Sequence, residues 1–576
     1  MCIDIYNVDM HIQIIPNRGS TPTVLLRESY REGSKVGKRT LANLSSLSGP
    51  QIEAIRCVLR GDKVQFASEF EILSSRAHGH VQAVSLAMSR LKMDSLIDAK
   101  DCPDRDAVLA MIASRIVSPN TKLATTRLWH TNTLASDFGV TSHNEDDLYK
   151  AMDWLLERQD SIEKKLAKRH LVKDGLVLYD LSSSYFEGSC CPLAKFGYNR
   201  DRKRGKLQVN YGLLTGPLGC PVAISVYEGN TSDSMTFMPA VHKLQSDFGI
   251  RQMVMVGDRG MIAQKTINDM RDMEGLDWIT ALKTGSIRAL VEGGQLQMGL
   301  FDERNLLEIE SPDYPGERLV ACRNDALSKL RAHKRLELLS ATEENLTKIK
   351  ERVDSGRLTG ADAIGVCVGR GIDKHKMAKH IELKITDQSL TWTRKAQSIA
   401  AEAALDGLYI IRTSVSAQRM DAPTCVRSYK SLANVERAFR SIKSIDLKVR
   451  PIHHRTENRV RAHLFLCMLA YYVEWHMRQA WAELLFADTQ PDLKEGRDPV
   501  APAKRSELAM QKVASLELDD GSMAHSFATL MADLSTIVQN TCKAPGSDQD
   551  ATTFEVTTNP TQKQQRAMEL IKAIKL

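Results

Sequence analysis

Between residues 8 and about 48 apolar and polar positions alternate in short runs such as MHIQII (10–15) and TPTVLL (21–26). That is the period of two a half-buried strand requires. Basic residues gather in SKVGKR (34–39), which reads as a turn. From about 50 to 170 the period lengthens. DAVLAMIASRIVSP (106–119) is apolar at helical spacing and stops at a proline. DDLYKAMDWLLERQDSIEKKLAKRH (146–170) repeats the pattern and collects bases at its end, where a helix dipole favours them. Residues 1–170 thus predict an α+β N-terminal region, a small sheet followed by helices.

The texture changes after residue 170. LVLYDLSSSYFEG (176–188), KLQVNYGLL (206–214) and CPVAISVYEG (220–229) read as three strands with short connections, an antiparallel meander. SDSMTFMPAVHKLQSDFG (232–249) is helical, QMVMVGD (252–258) a buried strand, TINDMRDM (266–273) a helix and DWITALK (277–283) a strand. Strand, strand, strand, helix, strand, helix, strand is the order of a ribonuclease-H-like mixed sheet flanked by helices. An α+β insertion at 286–400 is expected to interrupt it, with short strands ERLVACR and KHIELKITD around a long charged helix from about 324 to 354. LDGLYIIRTS (405–414) returns to the α/β pattern, so 171–285 and 401–485 predict the two parts of one domain. Residues 486–576 predict a helical tail, with loops such as KAPGSDQDATT and a final helix in QKQQRAMELIKAIKL.

Composition narrows the class. At 576 residues, 43% hydrophobic and 26% charged, the chain can bury several cores. The longest apolar run, LFLCMLAYYV (464–473), is too short for the roughly 18 residues of a membrane span and reads as a buried helix. The N-terminus carries acids where a secretory signal would carry bases. Eleven scattered cysteines without a CxxC pair predict a reduced, cytoplasmic protein without structural zinc. Net charge is only +7, yet residues 427–461 hold ten Lys or Arg against three acids, equal to the excess of the whole chain. A solvated helix face could do this, but a stripe that tracks phosphates fits the neighbouring residues better.

Asp180 and Asp258 each follow an apolar strand-like run, LVLY and MVMVG. A carboxylate at the tip of a buried strand is held rigidly at the sheet edge, as a divalent metal site requires. Taken singly, each could as well cap the next turn. A third acid shifts that balance. Tyr429, Glu436 and Lys443 are spaced seven and seven apart in YKSLANVERAFRSIK (429–443), and Arg440 follows Glu436 by four. At two helical turns per seven residues they share one face, an acid flanked by a phenol and two cations.

That spacing resembles the Tyr-x2-Arg-x3-Glu-x6-Lys signature of a class of bacterial insertion-sequence DDE transposases. Leu432 stands where the signature has Arg, whose phosphate contact would fall to Arg437 or Arg440. LYDLSSSYFEG and VGDRGM resemble the two Asp motifs of the same family, and LDGLYIIRT and RPIHHRTENRVRAHLFLCMLA its flanking segments. The resemblance implies Asp180, Asp258 and Glu436 as catalytic residues holding two Mg²⁺ (or Mn²⁺) ions. It implies DNA nicking at the element's terminal inverted repeats, joining to target DNA, and a homodimer bridging two ends. Tyr429, Arg440 and Lys443 would hold phosphates. Arg200, Arg202, Lys203 and Arg204, in NRDRKRGK (199–206), are expected to touch the DNA backbone, although a solvated hairpin tip is nearly as good a reading. DNA-end binding is the expected role of 1–170, and the bacterial cytoplasm, with its nucleoid, the expected place.

Other residues read as structural. His453, His454 and His463 do not converge at helical spacing, Asp201, Asp233 and Glu187 look like caps, and Ser182, Ser183 and Ser184 have no positioned base. Trp278 and Trp392 read as core residues before base-stacking ones. A phosphatase of the haloacid dehalogenase type would need a second acid where Ser182 stands. A DNA-gripping relic should have lost one of the three acids. A structure-specific nuclease on the same fold stays open.

Overall fold

The computed structural model describes residues 9–60, 70–490, 498–543 and 553–576, apart from 19, 33, 34, 189, 202, 298 and 300. The chain divides into two compact units, residues 1–75 with 539–557, and residues 76–538 with 558–576.

In the first unit Asp9–Asn17, Ser20–Glu32 and Lys35–Asn43 form an antiparallel sheet in chain order. The expected turn at 34–39 is not one: Lys35, Lys38 and Arg39 are strand residues, and Arg39 pairs with Glu28 at 2.7 Å. Cross-strand pairing satisfies this backbone and places the bases on an exposed strand. Ser48 and Gln51 form a reciprocal capping box that starts helix Gly49–Leu59. The region expected as a helical tail also supplies strands: Val538–Lys543 pairs with Phe554–Thr557 and lies beside Glu71–Ala77. Most of KAPGSDQDATT lies outside the described residues.

The second unit is built on one eight-stranded sheet. Its strands are β1 (Gly175–Tyr185), β2 (Gln208–Thr215), β3 (Pro221–Glu228), β4 (Met253–Val256), β5 (Leu276–Ala281), β6 (Leu306–Ile309), β7 (Arg318–Arg323) and β8 (Leu408–Thr413). They lie in the order β6-β7-β8-β5-β4-β1-β2-β3. Strands β1, β2 and β3 form the antiparallel meander, while β4 pairs parallel to both β1 and β5. This is the α/β arrangement, a mixed sheet flanked by helices, expected from the element order. One expectation changes: β6 and β7, inside the stretch expected as an insertion, extend the central sheet instead. ERLVACR is apolar enough to be buried on both faces, and pairing with β8 gives its backbone partners.

The flanking helices follow the strand period of two. Leu178, Leu213, Val254 and Val256 join one core, and Val177, Tyr179, Met253 and Met255 the other. Helix α1 (Pro103–Val117) packs in the first core, and α2 (Asp233–His242) in the second. Gly212 on β2 is required there, because an added Cβ would lie 2.1 Å from the Tyr179 hydroxyl. The segment 146–170, expected as one helix, is two: Glu145–Leu156 and Gln159–His170. Three further helices bear on the site: α3 (Ala422–Lys430), α4 (Leu432–Arg440) and α5 (Glu457–Ala480). Residues 464–473 of α5 are all buried, because α1, Glu145–Leu156 and β3 cover it from several sides.

Between β7 and β8 the α+β insertion keeps its own core. Helices Asp325–Asp354 and Ala361–Ile372 bury Leu339, Leu346, Ile364 and Val368 with Ile381 and Leu390 of a two-stranded ribbon. Trp392 is half-buried against that core, and Trp278 is buried under the central sheet. Among the described residues no helix is long and apolar enough to cross a membrane.

Candidate active site

The site starts from strand register. The parallel pairing of β1 with β4 ends at Leu178 and Val256, while β1 runs on to Tyr185 with β2 as its partner. Asp180 and Asp258 therefore stand two residues beyond the last paired couple, where the sheet opens. Neighbouring strands are about 4.8 Å apart, so register alone brings the two acids side by side. Asp180 shares the face of Leu178, the face covered by α4.

Tyr429, Glu436 and Lys443 were expected on one continuous helix. Tyr429 is instead on α3, Glu436 on α4 and Lys443 in a π-helical turn, Ser441–Ile445. Ser431, between α3 and α4, keeps right-handed helical angles (φ −64°, ψ −14°), so the direction of the chain persists. All three still line one open cleft of about 650 Å³ with Asp180, Asp258, Arg200 and Arg440. Glu436 and Asp258 are exposed and Asp180 is half-buried. Burial pushes the Asp180 carboxyl up to about 7, and the negative charges of Glu436 and Asp258 add to this against the pull of Arg200. The Tyr429 hydroxyl donates to Asp258 Oδ1 at 3.4 Å.

The basic residues divide. Lys443 is largely buried; its ammonium contacts Asp201 Oδ1 at 2.7 Å and donates to Ser182 Oγ at 3.2 Å. Burial pulls its pKa below the ordinary lysine value, while Asp201 opposes that pull. Arg450 also pairs with Asp201, whose other oxygen accepts the Tyr185 N–H at 3.0 Å. Arg440 is exposed on the cleft, and no ion pair holds it among the described residues. Arg437 lies outside the cleft lining and donates to Asn434 at 3.5 Å. Of the two candidates to replace the missing signature Arg, only Arg440 thus borders the acids. Arg200 pairs with Asp233 at 2.6 Å. Lys203 and Arg204 are exposed and do not line the cleft, and Arg202 lies outside the described residues.

Three acids read as caps do other work. Asp201 anchors two cations from below the cleft, Asp233 holds Arg200 at its rim, and Glu187 pairs with Lys206 at 3.1 Å. The one available signal was Asp201 itself, a single acid inside a run of five bases. The serines are structural as read: Ser184 bonds to the Tyr211 hydroxyl at 2.8 Å, and Ser183 accepts the Arg200 N–H at 3.4 Å. The His454 and His463 rings lie 4.8 Å apart, while His453 is exposed.

Comparison with known proteins identifies the family. A family model described as "Transposase DDE domain" matches residues 191–473, which include Asp258 and Glu436 and begin downstream of Asp180. A second, "IS1634 family transposase, N-terminal domain", matches residues 12–71. No curated protein matches in sequence. Among solved structures, a piggyBac transposase synaptic complex with hairpin DNA aligns at 10% identity over 79% of this chain and 77% of the other. Its TM-score is 0.33, and a likeness of that size carries no inference. The two family matches, from the N-terminal sheet to helix α5, show that the chain belongs to the DDE transposases of insertion sequences.

Proposed function

We propose that this transposase performs metal-dependent cut-and-paste transposition, with Asp180, Asp258 and Glu436 as its catalytic carboxylates. The observation that carries the reading is their convergence, from β1, the end of β4 and α4, on one open cleft that also presents Arg200, Arg440 and Lys443. The three acids fit divalent ions. They are hard oxygen donors, and Asp180 retains its proton until about neutral pH because burial and the other two acids oppose its charge. Two Mg²⁺ or Mn²⁺ ions, when bound, would supply activation of the attacking hydroxyl and stabilisation of the leaving oxygen.

The chain's own residues position the substrate. Tyr429 holds Asp258 in place through its hydroxyl. Arg440 offers a phosphate contact beside Glu436, and Lys443 contributes positive charge at the cleft wall, fixed by Asp201. The substrates are the element's terminal inverted repeats and target DNA, and the working form is a homodimer that synapses two ends in the bacterial cytoplasm. The N-terminal region, residues 1–170, binds the ends.

The test uses a plasmid carrying the gene with its native flanks, incubated with purified protein and Mg²⁺ or Mn²⁺. Wild type should break both element ends, and Asp258→Asn and Glu436→Gln should bind the ends without cutting. Binding without cleavage by wild type would establish a DNA-gripping relic instead. Cleavage determined by DNA structure rather than by the element ends would establish a nuclease.

A further inference from the structure

His170, Cys220 and His476 meet away from the carboxylate cleft, in the second unit. His170 closes helix Gln159–His170, Cys220 directly precedes β3, and His476 lies in α5. One potential ligand atom from each lies within 4.8 Å of the other two. Cys220 and His476 are only 4% and 9% exposed, and the Cys220 sulfur lies 4.0 Å from His476 Nε2. His170 Nε2 hydrogen-bonds with the Tyr472 hydroxyl at 2.9 Å, so that ligation through Nδ1 would leave the other ring nitrogen with an outer partner. Tyr472 and Trp475 pack their rings 4.8 Å from that of His476 and shield the cluster. The neighbouring Arg169 donates to the Leu91 carbonyl at 3.0 Å.

The cluster supplies the donors a soft divalent ion takes, two imidazole nitrogens and one sulfur that ligates once deprotonated.

We propose that His170, Cys220 and His476 form a zinc site, with two imidazole nitrogens, one thiolate sulfur and a water completing a tetrahedron. Nitrogen and sulfur donors in this ratio select Zn²⁺ over the hard cations that suit Asp180, Asp258 and Glu436. Binding forms two Zn–N bonds and one Zn–S bond and releases the thiol proton to solvent, with no change of oxidation state. The ion would clip the end of a peripheral helix and the edge hairpin of the sheet to the long central helix. Cys220 and His476 are 256 residues apart, which is why no ligand spacing marks the site in the sequence.

The full chain, purified without chelator, should carry one zinc per chain by elemental mass spectrometry. Exchange into Co²⁺ should give a thiolate-to-cobalt charge-transfer band and the visible bands of a tetrahedral ion. Cys220→Ser should lose the charge-transfer band, and His170→Gln, at the more exposed ligand, should weaken metal retention in a folded protein. Asp258→Asn should retain both signals, which separates this site from the carboxylate cleft. A metal-free wild type that develops no band with Co²⁺, or a band that survives Cys220→Ser, would overturn the proposal.

Discussion

Asp180 and Asp258 each stand two residues past Leu178 and Val256, the last couple paired between two neighbouring parallel strands. The short β4 is the cause. It stops at Val256, while β1 continues for seven residues beyond Leu178 on the support of β2. The edge thus opened is where α4 brings Glu436.

This crowding makes stability depend on pH and metal. Asp180 is raised from 3.8 to about 7, so the folded state holds a proton that the unfolded state has released. Its contribution to stability is therefore present at low pH and is lost as pH rises between those values. In metal-free buffer, thermal melts from about pH 5 to about pH 8 should fall more for wild type than for Asp180→Asn. Mg²⁺ should restore wild type most at the alkaline end, where no proton competes. Equal pH slopes for the two proteins would contradict the assignment.

Asp201 is a structural anchor beneath the cleft. Its removal leaves Lys443, 11% exposed in its side chain, without its counter-ion. Asp201→Ala should cost roughly 3–5 kcal/mol in urea unfolding, the range for breaking a buried ion pair from one side. A change no larger than that of an exposed-surface substitution would mean that Lys443 finds another partner.

Tyr429→Phe removes one oxygen and leaves the packing of α3. Because that oxygen orients Asp258, cleavage should fall by roughly 10–100-fold, the usual effect of losing an outer-shell partner. End binding and the melting temperature should hold. Parallel loss of DNA binding would instead assign Tyr429 to the substrate.

Arg440 is the exposed cation of α4 that lines the cleft with the acids. Arg440→Ala should weaken DNA binding evenly across sequences and lower the slope of log K against log salt by about 1. Fluorescence anisotropy at several salt concentrations measures this. An unchanged slope would remove Arg440 from the phosphate contacts.

Local patterns made much of this architecture legible. The change from period two to helical period, the apolar runs ending at Asp180 and Asp258, and the Tyr429–Glu436–Lys443 spacing all depend on neighbours a few residues apart. Turns and caps were harder. SKVGKR looks like a turn because its bases suggest solvent, yet a strand whose backbone is paired can expose bases equally well. ERLVACR looks like part of a separate insertion because of where it falls in the chain, but sheets recruit strands by backbone pairing across any separation.

The sequence alone singled out three carboxylates in strand and helix contexts, a basic stretch around the third, and enough apolar pattern to order the strands. Only the tertiary structure decided who faces whom. It turned Asp201 from a cap into the anchor of Lys443 and Arg450, placed Arg440 rather than Arg437 beside the acids, and brought His170 and Cys220 against His476. The reason is physical. Hydrophobic period is a local property that burial imprints on the chain, whereas ion pairs and ligand clusters form between side chains that only folding makes neighbours.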